Sequence, residues 1–195
     1  MEITNRKLYK EIVLQEKRNY YKDSGGNNFL LKILKSHPDY YSWKYVKSMR
    51  RCSYYYFIRK KNIIHALAYI VSCRKFNSLG RKIGIECGEN VFEPGLKIYH
   101  TNGIVINGNS RVGKNCRLYG NNCIGNDGKS NNCPVIGDNA RICAGAKVLG
   151  NVKLGNNVVV AAGAVVVNSF EQDNIILGGI PAKVISKNEN VNFLE

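Results

Sequence analysis

The stretch IYHTNGIVIN, residues 98–107, sets an imidazole, His100, just ahead of the apolar run Ile104-Val105-Ile106, in a chain whose only other histidines are His37 and His65. A neutral imidazole, with a pKa near ~6.5, can take a proton from a hydroxyl as that oxygen attacks, which no other unperturbed side chain does well at neutral pH. Its second nitrogen then needs a carboxylate or carbonyl to fix the tautomer. The competing reading of His100 is a satisfied histidine that closes the bottom of a packed layer.

Other chemistry is excluded by spacing and count. GNDGKSNN, residues 125–132, contains Gly128-Lys129-Ser130, but a phosphate loop would need glycine at 123, where the chain has Cys123. Seven cysteines, Cys52, Cys73, Cys87, Cys116, Cys123, Cys133 and Cys143, form no C-x-x-C pair and lie among apolar and small residues. They read as packed, reduced thiols, so neither a zinc site nor a disulfide framework is expected. A metal enzyme built on histidines would need several in the second half, which has His100 alone.

The elements that must position His100 come in two textures. Up to Lys82 there are 19 Lys and Arg against 5 Asp and Glu, a net +14, while Ile83 onward holds 10 against 9, a net +1. The same first segment carries 14 of the 19 aromatic residues. From about Asn5 to Phe76 the pattern predicts several helices, broken at DSGGNN (23–28) and at Pro38. KNIIHALAYIVSCRKF, residues 61–76, is apolar on most sides, as a helix buried against others would be. No stretch reaches the length of a membrane span, and the N-terminus lacks the apolar core of a secretory signal, so a cytoplasmic protein is expected.

After Gly80 valine, isoleucine, glycine and asparagine dominate. Counting in sixes from His100 gives Ile106, Val112, Leu118, Ile124, Ser130, Ile136, Ile142, Val148, Leu154, Val160 and Val166; only His100 and Ser130 are not branched aliphatics. Gly-Asn and Asp-Asn steps between them tolerate the left-handed backbone of tight corners, and each aliphatic suits a buried strand. One hexad cannot bury its own apolar face, so stacked coils must share a core.

Residues 85–185 resemble the hexapeptide-repeat acyltransferases, and within them the serine acetyltransferase type, through GLKIYHTNGIVIN, GDNARICAGAKVLGNVKLG and the closing GGIPAKVI. The resemblance implies a helical region (1–82), a left-handed parallel β-helix (83–186) with three hexads per coil, and a tail (187–195), an α+β chain. With three hexads per coil, positions eighteen apart stack. His100 is then expected along one edge with Leu118, Ile136 and Leu154, and Ser130 along another with Val112, Val148 and Val166.

The resemblance also implies His100 as catalytic base, oriented by Glu86, fourteen residues upstream, with Glu89 as the next candidate. Acetyl-CoA is the implied donor, lying between subunits of a homotrimer against Ala144, Gly145, Ala162 and Gly163, with Lys183 at its phosphates and no metal. Serine acetyltransferases carry Asp where this chain has Tyr99, and His where it has Cys133, and the loop between is two residues shorter here. Those departures are more similar to the polysaccharide O-acetyltransferases of capsule and O-antigen clusters. The expected function is therefore O-acetylation of a sugar hydroxyl of a surface polysaccharide or its precursor, with serine O-acetylation as the alternative. A third reading makes the basic aromatic half a nucleic-acid-binding module on a trimeric scaffold. Under the first reading no nucleic-acid partner is expected, and the basic segment between about Lys32 and Lys61 is expected to touch an anionic membrane face peripherally.

Overall fold

The structure, a computed structural model, describes residues 2–21 and 29–188. Four helices come first: α1 (Arg6–Tyr21), α2 (Phe29–Leu34), α3 (Pro38–Ile58) and α4 (Ile63–Ile83). Pro38 starts a helix here, because its fixed φ and missing N–H suit a first turn, and the His37 ring accepts the Asp39 N–H at the N-cap. Asn62 caps α4 by accepting the His65 N–H at 2.9 Å, and its Oδ1 lies 2.6 Å from the His65 ring. Gly84 ends α4 with φ +69°. The expected break at 23–28 and most of the tail lie outside the described residues.

The remainder is a parallel β-helix with three faces. The first face stacks β1 (Ile85–Cys87), β3 (Ile104–Ile106), β6 (Cys123–Gly125), β9 (Lys147–Leu149) and β12 (Val165–Val166). The second stacks β4 (Arg111–Val112), β7 (Val135–Ile136) and β10 (Lys153–Leu154). The third stacks β2 (Lys97–Ile98), β5 (Arg117–Leu118), β8 (Arg141–Ile142), β11 (Val159–Val160) and β13 (Ile175–Gly179), and β14 (Ala182–Lys187) closes it antiparallel to β13. This is the left-handed parallel β-helix expected behind a helical N-terminal region.

The stacking differs from a uniform eighteen. On the third face Ile98 pairs with Leu118, Leu118 with Ile142, Ile142 with Val160 and Val160 with Leu177, so the steps are 20, 24, 18 and 17. Leu118 thus lies on the third face, while Ile136 and Leu154 pair on the second together with Val112. Val148 and Val166 belong to the first face, and Ser130 to none. The long step contains a loop, residues 126–134, that makes this coil one hexad longer than the ordinary eighteen. The count in sixes therefore passes through Ser130 and resumes in phase on the far side.

Inward aliphatics such as Leu118, Ile124, Ile142, Val148 and Val160 are wholly buried and form one continuous column. Each contributes about 1.5–3 kcal/mol by leaving water. Asn115, Asn139, Asn157 and Asn174 take positive φ at successive corners, and two side-chain bonds, Asn115 to Asn139 at 3.1 Å and Asn157 to Asn174 at 2.9 Å, run along that edge.

The helices are joined to the first coil by a buried ion pair. Glu16 on α1 and Arg50 on α3 meet at 2.7 Å. Arg50 also donates to the carbonyls of Phe92 and Glu93, at 2.6 and 2.7 Å, and Glu16 accepts the Gly95 N–H at 2.9 Å. Beside them the Tyr20 hydroxyl accepts the Ile98 N–H at 2.8 Å. In contrast to the expectation for 61–76, α4 is not buried all round: Ile63, Ile64, Leu67, Ile70 and Val71 are exposed along one stripe. The helix has enough apolar residues to cover its packed face and leave others outside, which periodicity could not distinguish.

Arg50→Met should strand the Glu16 carboxylate in the core and lower unfolding free energy by about 3–5 kcal/mol in a urea titration. A cost within ~0.5 kcal/mol would show that the pair is not what fixes the helices to the coils.

Candidate functional site

His100 lies at the corner where the chain passes from the third face to the first. The Ile98–Leu118 step is two residues longer than a regular coil, and the surplus falls between Ile98 and Ile104. It throws residues 99–103 outward, so His100 is exposed while Ile98 takes the core position. The reading of His100 as a core residue closing a coil is thereby excluded. Its ring has no hydrogen-bond partner among the described residues.

The floor of this corner is built for close approach. Gly120, with φ +99°, lies directly over His100: a Cβ there would stand 3.0 Å from His100 Cβ. Gly120 O accepts the Gly145 N–H at 3.0 Å, and Ala144 O accepts the Gly163 N–H at 2.9 Å. Ala161 N–H bonds to Leu177 O at 2.8 Å, and in the next register Gly178 stands opposite Lys183. His100, Ala144, Gly145, Ala162, Gly163 and Lys183 therefore share one corner, stepped by one coil at a time. At about 4.8 Å per coil, Gly163 is roughly 14 Å along it from His100. Ala144, Ala162, Gly163 and Lys183 are exposed, and a Cβ on Gly163 would meet nothing within 4 Å.

Asn122 fixes the corner from inside and was not picked out by sequence reasoning. Wholly buried, it accepts the Gly120 N–H at 3.0 Å and donates to Cys143 O at 2.7 Å. No sequence signal marks it, because its neighbour Asn121 is a corner asparagine of the same type.

The two carboxylates are placed differently. Glu86 is exposed on β1, opposite Val105 in register, on the face that begins at the His100 corner. No hydrogen bond joins it to His100 in this chain. Glu89 is committed elsewhere, accepting the Tyr69 hydroxyl at 2.8 Å against the helices.

Beside His100, Tyr99 faces outward and stacks on Tyr119 at 4.6 Å and 7°, with Lys97 Nζ 4.6 Å from the Tyr99 ring centre. Lys97, Arg117 and Arg141 follow one another in register below the two rings. Partial burial, and then the Arg117 charge, lower the pKa of Arg141. Burial pushes the Tyr119 hydroxyl up.

The loop 126–134 leaves the opposite edge of the first face, so within one chain Cys133 and His100 stand at different corners. Asp127 accepts the N–H groups of Lys129 and Ser130 at 2.9 and 3.2 Å, which holds its carboxyl below the usual range. Those donors are thus turned inward, consistent with the failure of a phosphate-loop reading.

Comparison with known proteins agrees with this architecture. Residues 133–168 match the bacterial transferase hexapeptide (six repeats) family. Serine acetyltransferase of Staphylococcus aureus strain Mu50 is 35% identical over 97 residues, 49% of this chain and 43% of that protein. That of Staphylococcus epidermidis is 34% identical over 98 residues. The chain thus spans less than half the length of the curated relatives it matches.

Among solved structures, Neisseria gonorrhoeae serine acetyltransferase superposes with a TM-score of 0.74 at 24% identity, covering 94% of this chain and 68% of that one. Brucella abortus serine acetyltransferase in complex with coenzyme A gives 0.72 at 21%, covering 93% and 69%. These relatives are serine acetyltransferases, which favours the alternative branch over the saccharide branch expected from Tyr99 and Cys133. Residues 133–168 thus carry the repeat pattern of the bacterial hexapeptide transferases, and the helix-plus-β-helix fold is similar to that of the solved serine acetyltransferases.

Proposed function

We propose that the chain is an acetyl-CoA-dependent O-acetyltransferase in which His100 is the general base. The observation that carries this reading is the corner itself: an exposed imidazole in line with Gly120, Ala144, Gly145, Ala162 and Gly163. A pantetheine arm can lie close to a backbone that carries nothing larger than alanine methyls, with Lys183 at the far end for phosphate.

With the thioester beside it, His100 takes the acceptor hydroxyl proton as the oxygen attacks the carbonyl. The tetrahedral intermediate collapses, the thiolate of coenzyme A leaves, and the imidazolium returns the proton to it. Glu86 is the carboxylate proposed to orient the ring, which requires it to turn toward His100 when substrate is bound. Because Cys133 and its loop leave a different corner, a homotrimer would bring a neighbouring copy's loop 126–134 to His100, completing an acceptor site between subunits.

The relatives favour L-serine as acceptor. A second reading, a saccharide hydroxyl, is favoured by Tyr99: a stacked aromatic ring stands where serine acetyltransferases carry an anion, leaving no carboxylate at that place for an amino group.

Thiol release from acetyl-CoA should be stimulated by serine. Stimulation only by monosaccharides or isolated capsule or O-antigen repeats selects the second reading, and none by either class overturns both. His100→Ala should lower turnover by about a hundredfold or more with the melting temperature unchanged, because the side chain is exposed. Ala162→Glu, at an exposed corner with no packing to lose, should raise KM for acetyl-CoA by about tenfold, ~1.4 kcal/mol, with kcat little changed.

Contact with an anionic lipid surface is supported by α4 more than by the 32–61 segment. Its exposed stripe of Ile63, Ile64, Leu67, Ile70 and Val71 is flanked by exposed Lys60, Lys61, Arg74 and Lys75. No acidic residue occurs between Asp39 and Glu86. Each such cation contributes about 1 kcal/mol at an anionic headgroup surface. No helix of the described residues is long and apolar enough to cross a membrane. Co-sedimentation with anionic vesicles should be lost in high salt and weakened by Leu67→Glu; equal sedimentation with neutral vesicles, or none, overturns the contact.

A further inference from the structure

Two of the cysteines that sequence spacing kept apart are brought together by the helices. Cys52 on α3 and Cys73 on α4 have their Sγ atoms 3.1 Å apart. Cys52 is wholly buried and Cys73 is half-buried, so only the second is open to a small solute. Glu89, from the first coil, brings a carboxylate oxygen within 4.8 Å of both sulfurs and is held by the Tyr69 hydroxyl. The remaining thiols are differently placed: Cys87 donates to Gly88 O at 3.1 Å, and burial pushes the Cys116 thiol up to about 12.

We propose that Cys52 and Cys73 are a redox-reversible thiol pair, closed into a disulfide between α3 and α4 by peroxide-class oxidants. The half-buried Cys73 meets the oxidant: its sulfur attacks one peroxide oxygen, giving Cys73 sulfenic acid and water. Cys52 then attacks that sulfur, the sulfur–sulfur bond forms, and hydroxide leaves to combine with the Cys52 proton as a second water. The two electrons lost by the thiols reside in the reduced peroxide oxygen. A dithiol reverses the reaction by exchange.

Geometry favours this over a metal centre made from the same three groups. A tetrahedral zinc with bonds of about 2.3 Å to each sulfur needs the sulfurs roughly 3.7 Å apart, with room for the ion between them. A disulfide needs about 2.05 Å, so the pair must close by about 1 Å instead of opening. Burial, then the adjacent Cys73, raise the pKa of Cys52, which makes its thiolate scarce. Contact with Cys73 offsets that scarcity by making the second step intramolecular.

The test uses the full chain, treated with hydrogen peroxide, blocked with an alkylating agent and digested with trypsin. The expected product is a cross-linked pair of peptides, residues 52–59 and 62–74, with two of the seven thiols protected. Dithiothreitol should remove the link, Cys73→Ser should abolish it and Cys116→Ser should leave it intact. The oxidised protein should melt about 5 °C or more above the reduced one, since a cross-link restricts the unfolded chain. Cys52 still alkylated in full after peroxide, or Cys73 carried on to sulfinic acid without a link, would overturn the proposal. So would zinc purifying with the protein at one ion per chain and protecting both thiols.

Discussion

The buried pair between Glu16 and Arg50 is the contact on which the rest of the molecule depends. A β-helix has an exposed beginning, where the first coil offers unpaired backbone groups and an uncovered core. Here that end is covered by helices, and the contact is polar at its centre. Arg50 spends its donors on one carboxylate and on two carbonyls of the first coil, and Glu16 takes a backbone N–H of the same coil. A charge pair in the core is costly unless its polar atoms are met, and here each guanidinium nitrogen of Arg50 and each carboxylate oxygen of Glu16 has at least one partner. The pair therefore selects one placement of α1 and α3 on the coil, which an apolar contact of the same area would specify less sharply.

From that fixed base the corner carrying His100 is assembled by short steps. Gly120 allows the next coil to sit against His100, and Asn122 ties both sides of the turn through its single amide. Because the coils are hydrogen-bonded in register, the small residues above inherit the line begun at His100. The imidazole is displayed and not packed. The outward face below it carries positive charge and paired tyrosines, which set the electrostatic character of that side of the corner.

The likeness to serine acetyltransferases and the departures from them live at different levels. The fold match spans both the helices and the coils, so the scaffold is common. Tyr99 and Cys133 belong to the corners, where one side chain can change without disturbing the column of aliphatics behind it. A shared scaffold therefore leaves the side chains at the corners free to differ.

Much was legible in the sequence because a hexad repeat writes burial directly into residue type. Every inward position must be aliphatic and every tight corner must tolerate left-handed backbone, so Ile106 through Val166 announced the coils, and His100 stood out as an exception. Sequence could not say why it was one. The count in sixes ran on through Ser130 because loop 126–134 lengthens its coil by one whole hexad, and that same count hid the longer step that ejects His100 from the core. Assigning residues to faces needs the strand register, a property of paired backbones. The meeting of Cys52 with Cys73, and of Glu16 with Arg50, was likewise invisible: residues 21 and 34 apart on separate helices become neighbours only when those helices pack, and packing is decided by the whole buried surface at once.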